Sequence, residues 1–92
     1  MMRDKIDKIK NVDISSILGH FIHLKVHQNK YRGLCPFCHN RKETLFVDDH
    51  KSIYYCSEDG GGGDAISFVM NFKDITFDES LDLISSLIDN QA

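Results

Sequence analysis

Three cysteines and one aspartate constrain this chain more than any other feature: Cys35-Pro36-Phe37-Cys38, seventeen intervening residues, then Cys56-Ser57-Glu58-Asp59. Two close pairs of metal-ligating side chains separated by roughly 15 to 20 residues have the spacing of a zinc ribbon. Each pair occupies a tight knuckle, and the segment between them can fold back as a hairpin that returns the second pair to the first. The fourth corner here is a carboxylate. Three readings stand side by side: a site of three cysteines closed by Asp59, a site completed by neighbouring His39, or a relic site that has lost its metal.

A chain of 92 residues, 41% of them hydrophobic, makes one small domain spanning residues 1–92, with a limited core. Domains of this size gain much from a structural metal, which contributes on the order of 10 kcal/mol to folding. An odd number of cysteines and a charged N-terminus, Met1-Met2-Arg3-Asp4-Lys5-Ile6-Asp7, without the apolar core of a signal peptide, predict a cytoplasmic protein with reduced thiols. No apolar run approaches the roughly 20 residues that span a bilayer, so a membrane is not an expected partner.

The net charge of -3 argues mildly against nucleic-acid binding, but its distribution is uneven. Residues 1–51 carry ten Lys/Arg against six Asp/Glu, or +4, and all five histidines, whereas residues 52–92 carry only Lys73 against eight acidic residues, or -7. A basic front and an acidic rear would orient the domain on a polyanion.

Along the chain, Met2, Ile6 and Ile9 recur at near-helical spacing, so residues 2–10 read as a short helix. Asp13 is the expected N-cap of a second, with Ile14, Ile17, Leu18 and Phe21 on one face. From Ile22 the period becomes two: Ile22, Leu24 and Val26 alternate with His23, Lys25 and His27, predicting a strand with one wet face. Gln28-Asn29 turns the chain, and residues 30–34 return to the first knuckle. Residues 44–47 and 52–55 read as a hairpin around Asp48-Asp49-His50-Lys51, ending at Cys56. The run Gly60-Gly61-Gly62-Gly63 lacks the Gly-Lys-Ser/Thr ending of a P-loop and reads as slack leading to an N-cap at Asp64. A short apolar helix follows through Met70, then a break over residues 71–75. A capping box at Thr76 and Glu79 opens a last helix whose stripe is Phe77, Leu81, Ile84 and Ile88. The expected fold is α+β: a small zinc-ribbon-like antiparallel sheet with N-terminal helices and two C-terminal helices, the helical tail covering about residues 64–89.

Tyr31-Arg32-Gly33-Leu34-Cys35-Pro36-Phe37, Tyr55-Cys56 and the run Gly62-Gly63-Asp64-Ala65-Ile66-Ser67-Phe68-Val69-Met70 resemble the N-terminal zinc-binding (CHC-type zinc finger) domain of bacterial and phage DnaG-type DNA primases. That family's ligands run Cys-x2-His, seventeen residues, Cys-x2-Cys. Cys35 and Cys56 match family cysteines, Cys38 stands at the histidine position, and Asp59 at the last cysteine. Cysteine for histidine exchanges one good zinc ligand for another. Aspartate for cysteine is a harder ligand with a shorter bond. The resemblance implies one structural zinc ion held by Cys35, Cys38, Cys56 and Asp59, with His39 the alternative fourth ligand.

The resemblance further implies a non-catalytic module that reads single-stranded DNA template during primer synthesis in replication, beside a polymerase domain or replicative helicase, in a bacterial or phage-infected cell or on a mobile element. Such a module needs cations for phosphates and flat groups for unstacked bases. Lys30, Tyr31, Arg32, Arg41, Lys42, Lys51 and Tyr54 flank the knuckles or the hairpin and are the expected DNA-binding residues. The other class of function is a protein-interaction or inhibitory module that docks on a replication primase or helicase through its acidic rear.

Overall fold

A computed structural model describes residues 2–38, 42–58 and 60–89. Its centre is a five-stranded antiparallel sheet in meander order: β1 (Lys25–His27), β2 (Lys30–Gly33), β3 (Leu45–Asp48), β4 (Ile53–Cys56) and β5 (Gly62–Gly63). Lys25 pairs with Arg32, Arg32 with Phe46, Phe46 with Tyr55, and Tyr55 with Gly62, so these residues form one ladder across the sheet. The adjacent ladder joins Tyr31, Val47, Tyr54 and Gly63. Because side chains alternate between faces along a strand, the two ladders look in opposite directions. Leu45, Val47, Tyr54 and Cys56 are buried on the core face, while Arg32, Phe46 and Tyr55 are only half-buried on the other.

Four helices cover the core face and one end of the sheet: α1 (Met2–Lys10), α2 (Ile14–Leu18), α3 (Ala65–Lys73) and α4 (Phe77–Asp89). Phe68 of α3 is completely buried at the centre, with the rings of Phe21, Phe37, Tyr54 and Phe72 around it at centroid distances of 5.2 to 6.4 Å. Such tilted and edge-on pairs add to the free energy of burying so much aromatic surface. Phe37 lies inside the first cysteine knuckle, so this cluster ties the knuckle to the helices. Helix α1 packs on α4, and Lys5 and Lys8 form ion pairs with Asp82 and Asp89 across that contact.

Several elements depart from the sequence expectations. The strand expected from Ile22 begins only at Lys25, and Val26, at the sheet's open edge, is 74% exposed, so β1 is wet on both faces. Phe21 lies beyond the end of α2, yet it reaches the core through Phe68 and Phe72. Asp13 occupies the N-cap position of α2 but makes no capping bond. The cap comes from the β3–β4 turn instead: the Ser15 backbone N–H and hydroxyl donate to the Asp49 carboxylate at 2.8 and 2.6 Å. Helix α3 runs on through Lys73 and ends at Asp74 in the left-handed conformation, φ 55°. Phe77, expected in the buried stripe of α4, is 38% exposed, whereas Leu81 and Ile84 are buried as expected.

The glycine run is also not slack throughout. Gly62 and Gly63 pair with β4 as an edge strand, and a Cβ on Gly62 would lie 2.3 Å from the Tyr54 carbonyl oxygen. Only a residue without a side chain fits there. Other local signals hold as read: Asp64 caps α3 by accepting from the Ser67 N–H at 2.8 Å. The capping box of α4 is reciprocal, with Thr76 N–H donating to Glu79 at 3.0 Å and Glu79 N–H to the Thr76 hydroxyl at 3.2 Å. Among the described residues no helix is long and apolar enough to cross a membrane.

Two stability measurements test these interactions. Asp49→Ala should cost about 1 to 2 kcal/mol in urea unfolding through the loss of the α2 cap, while Asp13→Ala should cost a small fraction of that. The Thr76 backbone N–H, and next its hydroxyl, hold the Glu79 carboxyl below its ordinary value of 4.5. A depressed carboxylate stabilises the fold fully above 4.5 and loses that contribution as pH falls through the folded value. The urea midpoint of the parent chain should therefore fall faster below pH 4.5 than that of Glu79→Gln; parallel curves would remove Glu79 from the pH response.

Candidate metal centre and nucleic-acid interface

The end of β2 leads through Leu34 into the first knuckle, where Cys35 is buried and Cys38 half-buried, and the end of β4 supplies buried Cys56. The ligand sulfurs of Cys35, Cys38 and Cys56 all lie within 4.8 Å of one another, with Cys38 Sγ and Cys56 Sγ 3.0 Å apart. Zinc–sulfur bonds of ~2.3 Å at tetrahedral angles place sulfurs ~3.8 Å apart, which is the scale of this cluster. None of the three cysteines forms a disulfide. Three soft sulfurs converging in a nearly dry site are the donor set of a structural zinc ion, and the chain carries such a site.

The second knuckle is shaped by backbone bonds on both sides of Cys56. The Cys56 N–H donates to the Gly61 carbonyl at 2.7 Å, and the Gly60 N–H donates to the Cys56 carbonyl at 2.9 Å. The Ser57 N–H donates to the Thr44 carbonyl at 2.8 Å, joining the knuckle to the strand before it. The Thr44 hydroxyl lies 3.5 Å from Cys56 Sγ, an outer interaction of the kind that orients a metal-ligating sulfur. Asp59 and His39, the two candidates for the fourth ligand, lie outside the described residues, as does Arg41.

The outer face of the sheet gathers aromatic rings and cations. Phe46 and Tyr55 stack at 5.3 Å with an interplanar angle of 17°, and His27 meets Phe46 edge-on at 6.1 Å. The Arg32 guanidinium lies 5.5 Å from the Phe46 ring and the Lys30 ammonium 5.7 Å from the Tyr55 ring, both at cation–π range. Arg32 Nε donates to the Glu43 carbonyl at 2.7 Å, which fixes the guanidinium beside the ring. Lys25 forms an ion pair with Glu43 at 2.7 Å. That hydrogen bond from Lys25, helped by the charges of Lys25, Arg32 and His23, holds the Glu43 carboxyl below its ordinary value.

The expected DNA-binding residues divide on this geometry. Lys30 and Arg32 share the outer face, and Lys42 and Lys51 are exposed near the knuckle and in the β3–β4 turn. Tyr31 belongs to the opposite ladder, half-buried against the core. Tyr54 is 5% exposed and packed on Phe68, so its ring is not open to a base. The aromatic residues of the outer face are Phe46 and Tyr55, which sequence reasoning passed over. Parity could have found them: Cys56 must turn toward the metal, so its neighbour Tyr55 must turn away.

A family model described as the CHC2 zinc finger matches residues 1–91. The DNA primase of Listeria monocytogenes is 35% identical over 83 residues, 89% of this chain and 13% of that protein. The DNA primase of Treponema pallidum is 38% identical over 76 residues, 82% of this chain and 13% of that protein. The crystal structure of the Aquifex aeolicus primase, comprising zinc-binding and RNA polymerase domains, superposes with a TM-score of 0.80 at 30% identity, covering 89% of this chain and 21% of that one. The chain thus spans about an eighth of the length of the curated primases it matches, in agreement with the sulfur cluster and sheet described above: it belongs to the CHC2 zinc-finger family, the zinc-binding domain of DnaG-type DNA primases.

Proposed function

We propose that the chain is a zinc-stabilised module of a DNA primase that holds single-stranded template on the outer face of its sheet, and that the chemistry of primer synthesis belongs to a separate polymerase domain. The observation that carries this reading is the stacked Phe46–Tyr55 pair flanked by Lys30 and Arg32. Aromatic planes accept bases of any sequence by stacking, and the cations beside them meet the phosphates that run alongside. Lys42 and Lys51 extend the positive character to both ends of the β3–β4 hairpin. Arg41 belongs to the same basic segment in sequence.

The partners in this reading are single-stranded DNA and the polymerase domain or helicase of a replication complex. The Aquifex aeolicus primase supports the polymerase-domain partner, since it joins a zinc-binding domain to an RNA polymerase domain. Replication places the module in the cytoplasm of a bacterial or phage-infected cell.

The zinc ligands we infer are Cys35, Cys38 and Cys56, completed by Asp59 in preference to His39 because Asp59 stands at knuckle spacing from Cys56. With three thiolates and a carboxylate around a dication, the site would be doubly negative. Bound zinc supplies no reaction here: a closed tetrahedral site has no open position for substrate. What the ion supplies is a fixed join between the end of β2 and the end of β4.

Two measurements test this. Protein purified without added metal should contain one zinc per chain, and Asp59→Ala should weaken zinc retention against a chelator by at least roughly tenfold, the loss that even outer-shell changes can cause. His39→Ala should leave it unaltered; the reverse pattern would transfer the fourth position to His39, and zinc-free folded protein would sink the metal assignment. Single-stranded oligothymidylate should bind with a salt-dependent affinity that drops roughly tenfold in Phe46→Ala/Tyr55→Ala as stacking is removed. Lys30→Ala and Arg32→Ala should each remove one cation from the phosphates and lower the salt slope by about 0.7. An affinity indifferent to salt and to these four side chains would refute the template reading.

A further inference from the structure

On the outer face of the sheet, a row of flat side chains stops one strand short of the edge. Along one ladder stand Arg32, Phe46, Tyr55 and Gly62, one residue from each of β2 to β5. The Arg32 guanidinium lies 5.5 Å from the Phe46 ring, and Phe46 stacks on Tyr55 at 5.3 Å, close to the ~4.8 Å spacing of neighbouring strands. Flat groups thus follow one another at one per strand, and the next place in the row belongs to Gly62. The glycine faces the same way as the row. A Cβ on Gly62 would lie 3.1 Å from Tyr55 Cβ, whereas a Cβ on Gly63 would lie 3.1 Å from Ser67 Cβ and 3.8 Å from Tyr54 Cε1, on the core side. Gly62 is exposed and Tyr55 half-buried.

The two rings differ in the faces they can offer. Phe46 has Arg32 on its β2 side and Tyr55 on its β4 side, with His27 edge-on at 6.1 Å, so both of its faces are taken. Tyr55 has Phe46 on its β3 side and meets no other aromatic ring among the described residues. Lys30, 5.7 Å from the centre of the Tyr55 ring, starts from β2, two strands or ~9.6 Å away, and so approaches from the β3 side. The remaining face of Tyr55 looks over a residue that has no side chain.

We propose that the space over Gly62 is a single-base slot, in which one unstacked base of the bound strand lies on the β5-side face of Tyr55 as the fourth flat group of the row; this rests on the assignment of single-stranded DNA to the sheet. Stacking on an aromatic face suits any base, so the slot sets position and not sequence. Tyr55 is the residue that touches the base. Phe46 is a positioning residue, whose ring, backed by Arg32, supports Tyr55 from the other side. The Lys30 ammonium stands on that same far side, where it meets the phosphate of a neighbouring nucleotide. Glycine is required at position 62 for two reasons: a Cβ would strike the Tyr54 carbonyl oxygen at 2.3 Å, and a side chain would fill the place of the base.

The test uses the zinc-loaded full chain and oligothymidylate. Tyr55→Leu should by itself lower affinity roughly tenfold, the worth of one base–aromatic stack, and Tyr55→Trp should restore it. Phe46→Leu, which keeps an apolar support beside Tyr55, should cost much less. With 5-iodouracil replacing one thymine, photocross-links should form at Tyr55 and not at Phe46. In an NMR titration the Gly62 α-protons should shift, and in Tyr55→Leu they should keep their free-chain positions. Equal losses in Phe46→Leu and Tyr55→Leu, with cross-links on both residues, overturn the slot and leave the sheet as the template surface. Salt-dependent binding that loses nothing in Tyr55→Leu does the same. Absence of any binding by the parent chain removes the template reading and the slot with it.

Discussion

Three sulfur atoms within 4.8 Å of one another are the constraint on which the rest of the structure depends. Thiolates this close repel, and in a site where Cys35 and Cys56 are 6% and 3% exposed, water cannot relieve the repulsion. A dication turns the same geometry from costly to favourable. The knuckles that carry the sulfurs are also the places where the sheet meets the helical layer. Phe37 sits between Cys35 and Cys38 and packs on Phe68, while Cys56 ends β4 and passes the chain through Gly61 to the glycine edge strand and α3. Metal, sheet and helices therefore form one cooperative unit, and a core as small as this one has little else with which to hold the knuckles in place.

The two-faced sheet turns that structural requirement into function. Tyr54 and Tyr55 are neighbours with the same side chain and opposite tasks: the first is packed under the sheet against Phe68, and the second is stacked on Phe46 above it. What assigns the tasks is the position of Cys56, which must point toward Cys35 and Cys38. Register then carries the assignment across the sheet, since Tyr55 pairs with Phe46 and Phe46 with Arg32. The composition of the outer face is thus inherited from the metal site, strand by strand.

Features encoded within a few residues could be read directly from the chain. The convergence of the three cysteines, the cap at Asp64, the capping box at Thr76 and Glu79 and the β3–β4 hairpin each depend on neighbours no more than a turn or a hairpin away, and the structure contains them. What escaped depends on partners distant in sequence. The capping bond of α2 comes from Asp49, 34 residues beyond Ser15, so Asp13 holds the N-cap position read from the sequence without making that bond. Val26 continues an alternating pattern but lies past the edge of the helical layer, so nothing covers it. Gly62 and Gly63 form a strand without side chains, leaving no period to detect; their pairing is visible only as a backbone approach too close for a Cβ. The placement of Lys30 and Arg32 on one face was legible from strand alternation, whereas the placement of Tyr55 rather than Tyr54 on that face required the parity fixed by Cys56.

Electrostatics treats the helical layer and the outer face of the sheet differently. Much of the acidic rear is engaged within the domain: Asp82 and Asp89 are matched to Lys5 and Lys8 of α1, and Glu79 and Asp64 accept capping N–H groups. Glu79 and Asp64 stabilise the starts of α4 and α3, while the ion pairs of Asp82 and Asp89 tie α4 to α1 and cancel charge on that side. On the outer face, the Glu43 carboxylate is tied to Lys25 rather than to Arg32 or Lys30. Its main-chain oxygen, not its charge, receives Arg32 Nε, so the guanidinium is positioned without being neutralised at that point. On the template-binding proposal, a single strand reaching the sheet would meet cations already ordered over aromatic rings. The conformational entropy of Arg32 and Lys30 is spent in folding, which on the same proposal would lower the cost of holding a flexible ligand on so small a surface.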